Sequence, residues 1–203
     1  ASYLQLAVDF AKRKGDKKTV AYWLEKQYHA KKSPSNVDLY NLGRAFFDAG
    51  GEGDFKFYAK SDSVFAVYTQ QYPEQAYGYY WRARANWSID TGMVNGMANP
   101  HFAKFVEVAT ASKDSVSFQP QVKLAYKYFI GYNIFVKKDY KTAIDFCDKI
   151  LAIDPTDAEA KEYKRQLTGN KSQATGNGNS KSTGRVNSNS VTTNIEQRKV
   201  LYS

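Results

Sequence analysis

The chain has 203 residues, 42% of them apolar and 15% aromatic, and carries 29 basic against 20 acidic side chains for a net charge of +9. That length suits one domain or a short repeat array with a sizeable core, and no run approaches the ~18 consecutive apolar residues of a membrane-crossing helix. A single cysteine, Cys147, excludes an internal disulfide, and two histidines, His29 and His101, leave little material for a zinc site. The positive balance suits polyanions or acidic proteins, but the lysines and arginines are spread along the chain, as on a solvated surface.

In chain order, residues 2–14 and 17–32 read as a loose helix pair around Gly15-Asp16. A second pair follows. Its first helix is VDLYNLGRAFFDAG, its turn is glycine-rich at Gly50, Gly51 and Gly53, and its second helix ends in QQYP. The run QAYGYYWRARANW starts a third pair, which a long loop, residues 89–99, interrupts. Pro100 then falls in the first turn of the next helix, where its missing N–H is tolerated. In QVKLAYKYFIGYNIFVKK, Val122, Ala125, Phe129 and Ile130 share one face, and Lys137, Lys138 and Asp139 form a polar turn. The next segment places Tyr140, Ala143, Ile144, Cys147, Ile150 and Leu151 in one apolar stripe at helical spacing. After Pro155, Thr156 and Glu159 have the spacing of a capping box, which starts a helix with Ala160, Tyr163 and Leu167 inside. Residues 169–203 are rich in Asn, Ser, Gly and Thr. They read as a flexible low-complexity tail with too little apolar surface to offset its ordering entropy. No strand alternation occurs, so almost no sheet is expected.

The helix pairs repeat. In the last, Ile130-Gly131 and Ile134 take the Leu-Gly and Tyr places of the tetratricopeptide pattern. Ala143, Cys147 and Ile150 take the second-helix places, and Pro155 closes the repeat. Earlier, Leu39, Leu42, Gly43 and Phe46 match the first helix, and Ser61, Phe65, Tyr68 and Pro73 the second. Between them lies a degenerate copy, with Tyr79, Ala83 and Asn86 followed by Phe102, Val106 and Ala109. Over residues 1–168 the chain resembles the tetratricopeptide repeat (TPR) family, and its inserts resemble bacterial cell-envelope members. That resemblance implies an all-α, right-handed α-solenoid of stacked helix-turn-helix repeats at about 1–34, 35–73, 74–112 and 120–155. A capping helix at 156–168 closes it, with about seven helices in all. It also favours the cell envelope or periplasm over the cytoplasm.

In the family, first helices line a concave groove. Mapped onto this sequence, one rung of that groove holds Tyr40, Tyr80 and Tyr128, the next Arg44, Arg84 and Tyr132, and a third Phe47, Trp87 and Phe135. Aromatics and arginines are common binding anchors, although large residues on the outer rungs also suit plain packing. Nothing in the fold demands charge at Arg44 or Arg84. These residues point to a scaffold or adaptor for a peptide or partner protein, within a larger complex and touching a membrane only indirectly. The alternative is a polyanion-binding module for nucleic acid or an acidic glycan, using the basic-aromatic surface, with nucleic acid the less favoured. No catalytic set, metal site or cofactor motif emerges. GGEG lacks the Lys-Ser/Thr of a phosphate loop, Asp48, Glu52 and Asp54 miss the calcium-loop spacing, and Cys147 reads as a core residue.

Overall fold

The computed structural model describes residues 3–174, and these contain helices and no strand. The α-helices are α1 Tyr3–Lys14, α2 Lys17–Ala30, α3 Asn36–Gly50, α4 Lys56–Gln71, α5 Ala76–Ile89, α6 Asn99–Ala111, α7 Gln119–Tyr132, α8 Tyr140–Ile153 and α9 Ala158–Ala174. A 3₁₀ turn at Ser115–Phe118 precedes α7, and a π-helical turn at Asn133–Lys137 follows it. The described residues hold nine α-helices, more than the seven or so expected, and the loose pair at the start of the chain is present as α1 and α2. There Gly15 turns the chain at φ +72°, and the Asp16 carboxylate accepts from the Thr19 backbone N–H at 2.9 Å to cap α2. The described residues divide into two compact units, the first ending at Ala125 and the second beginning at Tyr126.

In the first unit each helix packs on the next from α1 to α6, and the first helices α3 and α5 also touch. Ala21, Leu42, Ala45, Phe46 and Ala49 form one buried cluster, and Leu39, Phe65 and Tyr68 a second. Close approach is built in by glycine. A Cβ on Gly43 would lie 2.7 Å from the Phe65 ring, and one on Gly78 would lie 2.6 Å from Tyr68. Ser61, buried on α4, donates to the Gly43 carbonyl at 2.9 Å and pins the same contact. Ser35 and Asp38 cap α3 reciprocally. The long α5–α6 connection is ordered by Asp90, whose buried carboxylate accepts from the backbone N–H groups of Asn95 and Met97 at 3.0 and 3.3 Å. Pro100 stands in the first turn of α6, as its position in the sequence predicts.

In the second unit Ile130, Ile134, Ala143, Cys147, Ile150, Ala160 and Leu167 make the core, with Tyr126, Phe135, Phe146 and Tyr163 packed around it. Cys147 is fully buried, and burial pushes its thiol up to about 11. Two sequence readings need correction here. Tyr140 leaves the apolar stripe and is exposed, because it is the first residue of α8 and precedes the turns that pack. Thr156 does not cap α9. Its hydroxyl and backbone N–H turn back to Asp154, and Asp157 caps instead by accepting from the Ala160 N–H at 3.0 Å. Glu159 pairs with Lys127 and accepts from the Tyr163 hydroxyl. Helix α9 continues past Thr168 to Ala174, and the rest of the expected tail, residues 175–203, lies outside the described residues.

Candidate partner-binding site

The first-helix residues singled out in the sequence converge in the first unit on a residue that was not among them, Trp81. Its indole N–H donates to the Tyr40 hydroxyl at 2.9 Å, which ties α5 to α3. The Arg44 guanidinium lies 3.6 Å from the centre of the Trp81 ring, and that of Arg84 lies 5.7 Å away. Phe47 and Tyr80 both meet the ring edge-on at 5.1 Å. Arg84 also lies 5.3 Å from the Phe47 ring and donates to the Tyr80 hydroxyl at 3.1 Å. Two guanidiniums are therefore stacked with aromatic rings on adjacent helices. Such cation–π contacts contribute about 0.5–1 kcal/mol each at exposed sites and about 2 where water is excluded.

Arg44 is held by stacking more than by hydrogen bonds. Its ion pair with Asp48, one turn along α3, is long at 3.5 Å, and both side chains are partly exposed. Its Nε is buried and has no hydrogen-bond partner. An orphaned buried donor costs about 1–3 kcal/mol. The guanidinium is thus oriented and retains donor capacity.

The remaining candidates divide by burial. Tyr80 is 7% exposed and packs against Phe105, so its ring belongs to the core while its hydroxyl serves Arg84. Tyr40 and Phe47 are half-buried, and Phe47 meets Tyr58 edge-on. Trp87 is half-buried against Phe102. In the second unit Tyr128 is buried, with the half-buried Tyr132 ring parallel to it at 6.4 Å and Lys137 over Tyr132. Phe135 packs on the core of that unit.

Trp81 was legible in principle. It stands three residues before Arg84, so the two share a helix face, whereas the repeat register drew attention to its neighbour Tyr80. A second cluster was also missed. Asp62 on α4 accepts from the Arg82 Nε at 2.9 Å and from the Asn86 side-chain amide at 2.7 Å. His101 on α6 lies near enough to feel both charges. Its burial, and after that the Arg82 charge, hold its pKa below the ordinary imidazole value, against the opposing pull of Asp62. Arg82 and Asn86 stand one helical turn apart, which was the available signal.

No protein-family model matches the chain, and no curated protein matches it. Solved structures do. The C-terminal part of a TPR repeat-containing protein from Cytophaga hutchinsonii superposes with a TM-score of 0.67 at 28% identity, over 77% of this chain and 57% of that one. The chain has a tetratricopeptide-type fold. The MamA RS-1 double mutant agrees at the level of fold, with a TM-score of 0.57 at 17% identity over 83% of each chain. The all-α helical-repeat class and the TPR resemblance read from the sequence are therefore supported. This TPR-type chain spans 57% of the first neighbour's length.

Proposed function

We propose that this chain is a protein-protein interaction scaffold, a non-enzymatic adaptor that holds a peptide segment or partner protein in a concave groove along α3 and α5. The TPR-type neighbours support scaffolding in general. The observation that supports this particular face is the Arg44–Trp81–Arg84 stack: two partly exposed guanidiniums, fixed by aromatic rings on adjacent helices. Arg and Trp are the residue types that dominate binding energy when held in place, and a side chain already ordered loses less entropy when a partner arrives. Guanidinium forks take carboxylates bidentately, so the natural contact on the partner is acidic. In the second unit, taken by itself, Tyr132 and Phe135, with the Tyr128 ring parallel to that of Tyr132, are proposed as partner contacts.

Affinity capture with the intact chain, followed by mass spectrometry at low and at high salt, tests this. A discrete protein partner retained at about 0.3 M salt is expected. Capture dominated by nucleic acid or acidic glycan, lost steeply with salt, would replace the proposal by polyanion binding.

A further inference from the structure

A cavity of about 440 Å³ opens beside the stack, between the first helix pair and α3. Its walls carry Lys12 from the end of α1, Lys17 from the start of α2, and Arg44 and Asp48 from α3. Its apolar part is Val20 and Leu24 of α2 together with Ala45. The volume lies within the roughly 300–1,000 Å³ of ligand clefts, which are typically apolar with a few convergent polar groups. Three cations face one acid here, and that acid holds Arg44 only loosely at 3.5 Å. Arg44 borders both the stack and the cavity, and its Nε is the buried donor with no acceptor. The two lysines are exposed at the rim.

We infer that this cavity is a specificity pocket for an acidic residue followed by an aliphatic one in the bound segment. The carboxylate would lie among Lys12, Lys17 and Arg44, and the aliphatic side chain on Val20, Leu24 and Ala45. Charge complementarity selects the carboxylate, because a neutral polar residue would leave three cations uncompensated and a basic one would add a fourth. The apolar wall selects the neighbour, because Val20 and Leu24 are half-buried and gain from being covered. The inference rests on the proposed scaffold role only for the macromolecule that carries this segment.

The test uses the full chain, ¹⁵N-labelled, titrated with N-acetyl-aspartyl-leucine amide, with its asparaginyl analogue and with inorganic phosphate, while backbone amide shifts are followed. Saturable shifts at Gly15, Lys17, Asn41 and Ala45 are expected with the aspartyl compound. The asparaginyl analogue should bind at least about tenfold more weakly, the usual loss when a charge-assisted hydrogen bond becomes neutral. The Lys12→Gln, Lys17→Gln double variant should lose a similar factor with an unchanged melting midpoint, since both side chains are exposed. Equal binding of the two dipeptides, no saturable shift at these amides, or phosphate binding there as tightly as the aspartyl compound would each overturn the inference. Partner capture is measured separately, so a failed pocket and a failed scaffold role give different results.

Discussion

At the scale of single residues, Gly43 sets how closely α3 and α4 approach. A methyl group there would meet the fully buried Phe65 ring at 2.7 Å, and the Ser61 hydrogen bond to the Gly43 carbonyl restrains the backbone from moving away. Gly43→Ala should therefore destabilise the chain by about 1–3 kcal/mol, the cost of overpacking a well-filled core. Urea unfolding measures this, and a midpoint equal to that of the parent would mean that Phe65 can yield. His101 gives a second residue-scale expectation. Its pKa is lowered in the folded chain, chiefly by burial and then by Arg82, whereas in the unfolded chain it titrates near 6.5. A lowered folded pKa means that this stabilisation is complete above about pH 6.5 and is lost as the pH falls, because the unfolded chain takes up the proton first. Melting midpoints from pH 7.5 to 5 should fall more for the parent than for His101→Gln. Parallel curves would show that His101 does not contribute.

At the scale of elements, helix starts are fixed by short carboxylate caps. Asp16, Asp139 and Asp157 each accept from a backbone N–H three residues on, at α2, α8 and α9. Asp157→Ala should cost about 0.5–2 kcal/mol by leaving the first turn of α9 uncapped. Thr156→Ala should cost less, since that hydroxyl serves only the preceding turn through Asp154. A larger loss for Thr156→Ala on thermal melting would restore the capping box suggested by the sequence. The choice between these two residues shows where sequence reading stops. Thr156 and Glu159 have the right spacing, but Asp157 has it too when paired with Ala160, and spacing alone does not register that Lys127 claims Glu159. The helices themselves were legible from periodicity. Val122, Ala125 and Ile130 on α7, and Ala143, Cys147 and Ile150 on α8, are all buried where the 3.6-residue repeat puts them. Tyr140 fits the same periodicity and is nevertheless exposed, because the stripe reaches the helix end before the core does.

At the scale of the whole molecule, the TPR-type fold follows from close-packed helix pairs, and the repeat spacing showed this in the sequence. The candidate face was legible only in part. Arg44 and Arg84 could be placed on adjacent first helices by repeat register. Trp81 could be placed beside Arg84 on the same helix, but its contact with α3 could not be read, because that contact joins residues 41 positions apart. The same contact decides between two roles for the arginines, holding the fold together or gripping a partner. The Arg44→Ala, Arg84→Ala double variant separates these when its unfolding curve and its affinity for the captured partner are measured on one preparation. Partner binding should weaken by roughly 1.5–3 kcal/mol for each charge-assisted bond lost, with a modest fall in stability from the missing cation–π contacts. Lysine at both positions should restore part of the affinity, because it keeps the charge without the planar fork. A variant that melts much earlier yet captures the partner as tightly as the parent would contradict the scaffold role assigned to this face.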